Sequence, residues 1–283
     1  MKRLSTILFV AFAMTSASFA ACGVTPGRAI TMTFHAVGEG ASSFTTATGW
    51  SVHLTEASIV LGPVYALAPA TMTARSEQLR QLLLPIAYAH GGHDDYASLT
   101  VRAEWLDQRV IDLLASTPTL LGTADGTAGQ AEYTTIELEP PPAGMAISPH
   151  AMGVPHELWV AGTATMGTMT IPFEGGLDIP QDPLANLIEG VAITQDGVSS
   201  PSFPSFDTAG DLLVTVHVGG QTGATTSPSW FDQADFSRLP MPASGTTREL
   251  TSTTQPYQAW LIAARDSDSF TAHYVPPTTT TGP

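Results

Sequence analysis

The chain has 283 residues, 43% hydrophobic and 12% charged, with ten Lys+Arg against 25 Asp+Glu and a formal net charge of −15. Apolar content of that size on one or two domains' worth of chain buries a real core, which excludes a disordered acidic tail. The surplus of carboxylates repels phosphate backbones and anionic headgroups, which excludes nucleic acid as a partner and membrane attachment through a basic patch.

Residues 1–21 open with Lys2 and Arg3, continue through an apolar run over 7–14 and end in small residues. This is the layout of a secretory signal peptide, too short to remain as a membrane span. The single cysteine, Cys22, follows Phe19-Ala20-Ala21. The segment resembles a bacterial lipoprotein signal, whose lipobox ends in a cysteine that takes a diacylglyceryl group; Phe19 stands where leucine is usual. Cleavage after Ala20 by the ordinary signal peptidase is the alternative, with Ser18-Phe19-Ala20 as its site, and it leaves an unlipidated thiol. Lipidation is the reading taken, because an exported chain with one unpaired cysteine at this position otherwise keeps a reactive thiol without a reason. Removing the signal leaves eight arginines, no lysine and a charge of −17, so attachment to a membrane must come from lipid on Cys22. Gly23, in place of aspartate, implies outer-membrane sorting under the lipoprotein resemblance. Residues 22–29 then form a tether, no disulfide can form within the chain, and no later apolar run is long enough for a membrane helix.

Alternating apolar and polar residues at turn-bounded spacing predict many short strands. The clearest is 50–61, where Trp50, Val52 and Leu54 alternate with Ser51, His53 and Thr55. Others fall at 30–36, 99–105, 109–114, 132–139, 157–165, 168–173, 191–194, 212–218, 257–264 and 270–275. Two connector helices are predicted: 74–84, with Leu79, Leu82 and Leu83 on one stripe, and 182–189, with Asp182 as N-cap and Pro183 at its first position. The expected fold class is all-β: an antiparallel β-sandwich, immunoglobulin-like or related, with one or two short connector helices, over residues 30–275. The Ser/Pro-rich stretch 197–204 is the place where it could divide into two sandwiches, and 276–283 reads as a disordered tail.

Val110-Ile111-Asp112-Leu113-Leu114, Leu120-Leu121-Gly122, Ala128-Gly129 and the run from Glu132 to Leu138 follow the strand at 50–60. Together they resemble a pattern in secreted bacterial β-sandwich lipoprotein domains of unknown function, over roughly residues 30–140. A fainter similarity, carried by strand order and by Trp230 with Asp232 and Asp235, extends to periplasmic proteins associated with copper uptake. The paired cysteines of many such proteins are absent here. The resemblance implies a β-sandwich in the cell envelope rather than a particular activity.

Tyr88-Ala89-His90-Gly91-Gly92-His93-Asp94-Asp95-Tyr96 places two imidazoles and adjacent carboxylates on a glycine-flexed loop, a donor set for zinc or copper. Asp94 is the nearest carboxylate, and His35 or His53 would complete the set. The competing reading is a polar surface loop. A second group, His150, Met152 and His156 with Met145, mixes imidazole and thioether as copper requires, and His150-Ala151-Met152 resembles the H-x-M element of periplasmic copper chaperones. Met166 and Met169 are expected in the core. Asp232 with Asp235 and Asp266 with Asp268 read as solvated turns rather than calcium loops, and the five tryptophans read as core.

Catalytic signatures are missing: there is no G-x-S-x-G elbow, and His156-Glu157-Leu158-Trp159-Val160 lacks the second histidine of a zinc-protease helix. The leading expectation is a non-catalytic cell-envelope lipoprotein that binds a small-molecule ligand or an envelope protein partner, with a transition metal as one candidate ligand. The alternatives are a copper- or zinc-handling periplasmic protein, and an extracytoplasmic hydrolase whose site the sequence does not disclose.

Overall fold

The computed structural model describes residues 28–68, 100–151, 154–180, 186–198, 202–220 and 228–277. Eight strands close into a barrel: β1 (Ala29–Gly38), β4 (Val64–Leu67), β5 (Val101–Trp105), β7 (Thr119–Thr127), β8 (Tyr133–Glu137), β11 (Leu187–Thr194), β12 (Gly210–Val216) and β14 (Phe270–Val275). Around the barrel the order is β1-β12-β14-β11-β8-β4-β5-β7, and β7 returns to β1. A second sheet holds β2 (Ser43–Thr45), β3 (Ser51–Leu61), β6 (Arg109–Asp112), β9 (Leu158–Met166), β10 (Met169–Leu177) and β13 (Arg248–Glu249). The sheet expected to stay open as half of a sandwich is therefore a closed barrel. Alternation along a strand is the same in both architectures, and what separates them is long-range pairing. Here β1 pairs in parallel with β12 and antiparallel with β7, and those two ladders close the ring.

Along β1, Met32, Phe34 and Ala36 point into the barrel while Thr31, Thr33 and His35 face outward. The same division runs through β12, where Leu212, Val214 and Val216 are buried and Asp211 is exposed. One apolar cluster unites this interior with the inner face of the second sheet and with Trp230, Phe231, Phe236 and Trp260. All five tryptophans are buried. The apolar-in, polar-out division is the inverse of that in a lipid-embedded barrel.

The two ends of the barrel differ. At one rim β1 begins and β14 ends, and the three links β4 to β5, β7 to β8 and β11 to β12 each join two barrel strands. The backbone N–H of Ala68 donates to the carbonyl of Thr100 there, closing the base of the β4–β5 link. At the opposite rim every link runs between the barrel and the second sheet: β1 to β2, β3 to β4, β5 to β6, β6 to β7, β8 to β9, β10 to β11, β12 to β13 and β13 to β14. The stretch 197–204 lies in the β11–β12 link, between two strands of one barrel.

Three local expectations are corrected. Residues 257–264, read as a strand, belong to helix α1 (Gln255–Ala264), which has proline in its first turn and buries Tyr257, Trp260 and Ala264 at helical spacing. The end of the helix expected over 182–189 is strand, since β11 begins at Leu187; residues 181–185 lie outside the described residues, as do those of the helix expected at 74–84. Met166 and Met169, expected in the core, are exposed and flank the hairpin turn at Gly167, whose φ of 59° suits the left-handed region.

Candidate functional site

The β8–β9 connection, about twenty residues long, leaves the opposite rim and crosses the outer face of the second sheet. A connection of that length is uncommon in a compact domain and is often functional. A bulge in β3 between Leu54 and Glu56 shifts its register against β9, so that Ala57, Ile59 and Leu61 stay in the main core while Val60 joins an outer cluster. That outer cluster packs Val60, Ile147 and Trp159 together, with Val110 and Met145 against them.

Glu56 is the centre of the polar contacts on this face. Its Oε1 accepts a hydrogen bond from Ser148 Oγ at 2.6 Å. Its Oε2 accepts from the Trp159 indole Nε1–H at 3.1 Å and faces His150 Nδ1 at 3.1 Å. A carboxylate can only accept, so Nδ1 carries a proton, and in the neutral ring Nε2 keeps its lone pair. The Ser148 hydroxyl also accepts from the His150 backbone N–H at 3.0 Å. Ser148 is buried, whereas the His150 side chain is 66% exposed. The connection is thus pinned at Ser148 and presents an oriented imidazole to solvent.

His156 occupies the other side of Trp159, with ring centroids 6.0 Å apart. Its Nδ1 lies 2.6 Å from Asp178 Oδ1, and the Asp178 backbone N–H donates to the Tyr257 hydroxyl at 3.0 Å. The ring rests on Gly176, which is paired with Trp159 across the β9–β10 ladder; a Cβ at 176 would overlap the imidazole. Next to it the buried Glu157 accepts from the Ile179 backbone N–H at 3.0 Å, and burial raises its carboxyl above the usual range. The segment 156–160 enters β9 rather than a helix, so its resemblance to a zinc-protease helix ends there.

Of the residues singled out from sequence, His150 and His156 are thus brought to the two sides of one indole, each held by a carboxylate. Met152, His90, His93, Asp94 and Cys22 lie outside the described residues. His35 sits in the barrel wall towards the opposite rim, and His53 Nδ1 is 2.8 Å from Ser43 Oγ in the second sheet. Among the described residues no three His, Cys, Asp or Glu side chains are placed to hold a metal ion. Asp232 accepts from Ser229 Oγ and from the Ala47 N–H, while Asp235 and Asp266 cap short 3-10 turns.

Sequence reasoning did not find Glu56, which falls in the strand as one more polar residue. It also missed an acidic group at the opposite rim. There the Tyr65 hydroxyl donates to Glu137, Glu137 and Glu139 are hydrogen-bonded to each other, and Gln108 Nε2 donates to Glu139 at 2.7 Å. Two carboxyls bonded in this way share a proton, and burial together with the Glu139 charge pushes Glu137 up to about 7. Glu139, Gln108, Arg109 and Trp105 line an open cavity of about 430 Å³ beside this pair.

No helix among the described residues is long and apolar enough to cross a membrane. Comparison with protein-family models, with curated proteins and with solved structures finds no match for this chain.

Proposed function

We propose that the protein is a non-catalytic lipoprotein of the cell envelope, anchored through Cys22, that binds a ligand or partner at the clasped outer face of its second sheet. One observation carries the binding reading. Ser148, Glu56 and Trp159 together fix His150 so that its Nε2 lone pair points away from the carboxylate on an exposed side chain. Fixing a ring costs side-chain entropy, and a solvated surface histidine has no need of it. The anchoring reading is supported by the sequence around Cys22, the only cysteine in the chain.

Copper or zinc handling is a second reading, favoured by the pairing of each imidazole with a carboxylate through Nδ1. That pairing fixes the tautomer and the ring orientation, as in metal-ligating histidines. Two histidines alone do not complete a site, so a metal held here draws further donors from the ligand.

Calorimetric titration with Zn²⁺, Cu²⁺ and Cu(I) tests the metal reading. Micromolar binding that is lost in His150→Ala supports it, and heats unchanged by that substitution remove it. Metabolic labelling with palmitate tests the anchor: label on the wild-type chain and none on Cys22→Ala supports lipidation, while equal absence from both rejects it.

A further inference from the structure

We infer that the barrel stands on the bilayer, with the rim where β1 begins facing the lipid and the second sheet carrying the clasped connection at the membrane-distal end. The inference rests on the proposed lipidation of Cys22. Its independent basis is the division of the chain links between the two rims.

Cys22 lies six residues before Arg28, where the described fold begins. Even fully extended, six residues span only about 20 Å. Strand β1 has ten residues, about 33 Å along its length, or roughly 25 Å of barrel height at the usual strand tilt. The tether is therefore shorter than the barrel is tall, and the rim that receives it is the one that can rest near the headgroups. The opposite rim is the end to which the second sheet is joined, through eight links between barrel and sheet. With the β1 rim down, the second sheet, Glu56 and His150 are carried on the side turned away from the membrane.

Charge at the lower rim does not create this orientation. Arg28 donates to the Asp207 carbonyl, and Arg102 donates through Nε to the Gln130 carbonyl at 3.0 Å, so both guanidinium groups are engaged with backbone oxygens. Asp125, Asp207 and Asp211 lie on the same end. A rim of this mixed sign is held near lipid by its tether rather than by attraction to anionic headgroups.

The single native cysteine makes the test clean, because a lipidated Cys22 leaves any introduced cysteine as the only free thiol. Ala209→Cys places it on the exposed lower rim, and Ser116→Cys places it on the opposite rim, next to Gly40. Each full-length lipidated variant is labelled with a fluorescent donor and bound to phosphatidylethanolamine–phosphatidylglycerol vesicles that carry a headgroup acceptor. Energy transfer several-fold greater from position 209 than from 116 is expected. Equal or reversed transfer on vesicles that retain the protein overturns the orientation and leaves the anchor standing. Wild type that fails to sediment with vesicles removes the anchor and the orientation with it.

Discussion

His150 Nδ1 and Glu56 Oε2 lie 3.1 Å apart although 94 residues separate them in the chain. The contact joins the long β8–β9 connection to the centre of the second sheet, and Ser148 and Trp159 meet the same carboxylate. Removing that acceptor leaves the donor hydrogens of the largely buried Ser148 hydroxyl and Trp159 indole without an acceptor. Glu56→Ala is therefore expected to lower stability by about 1.5–3 kcal/mol, the range for hydrogen bonds to a charged group. Urea denaturation measures the loss. Glu56→Gln keeps one acceptor oxygen and should lose less, and a loss equal to that of alanine would show that packing, not hydrogen bonding, holds the connection.

The Glu137–Glu139 pair sets a pH dependence. Burial is the larger cause and the Glu139 carboxylate the second; together they raise Glu137 from 4.5 to about 7. A raised pKa means that the fold prefers the protonated form, so the stability from this group is full below about 4.5 and is lost as pH rises through 7. Tyr65 faces the pair from β4 and Gln108 from the β5–β6 link; the Tyr65 phenol is itself raised by burial and by the Glu137, Glu104 and Glu139 carboxylates. Urea midpoints are expected to fall between pH 5 and 7.5, and Glu137→Gln should flatten that slope. An unchanged slope in the variant would assign the dependence to Glu157 or Glu39, both also raised by burial.

Gly176 is required by contact rather than by backbone angle. The imidazole of His156 lies against its Cα face, where any side chain would overlap the ring. Gly176→Ala should drive His156 away from Asp178 and cost about 1–3 kcal/mol, as overpacking does. In a His156→Ala background the same substitution should cost much less, because its collision partner is gone. Equal costs in the two backgrounds, read from a double-mutant cycle, would show that the glycine serves the ladder and not the histidine.

These contacts mark where the sequence can and cannot be read. Trp50, Val52 and Leu54 announce their strand because alternation is a local property, and β1, β9 and β14 are legible for the same reason. Barrel closure is not local: the ladder of β1 with β7 joins Met32 to Ala124, and that with β12 joins Met32 to Gly210. Helix α1 was hidden because Tyr257, Trp260, Leu261 and Ile262 are also good strand residues; the signal that separates the two readings is Pro256 followed by the 257, 260, 264 spacing. Within the site, the two histidines could be marked by residue type. Glu56 could not, since its role depends on a bulge and on partners from β9 and from a loop.

Strand β7 escaped notice because Thr119–Thr127 contains two glycines, which lower strand propensity. Both glycines mark close approaches. A Cβ at Gly122 would fall 2.6 Å from Trp105 Nε1, and one at Gly126 would fall 2.5 Å from the Arg102 carbonyl. The β5–β7 seam they serve has one paired position, Ala103 with Gly126, whereas β7 pairs with β1 at eight. It is the weakest seam in the barrel by this measure, and Trp105 packs across it. Gly122→Ala should therefore open the barrel between β5 and β7 first. Hydrogen exchange followed by mass spectrometry is expected to show faster exchange in 101–105 and 119–127, with β12 and β14 unchanged. Trp105→Phe removes the indole nitrogen that collides, so it should restore part of the protection in the Gly122→Ala background. Uniformly faster exchange across all eight strands would mean that the ring unfolds as one unit and has no weak seam.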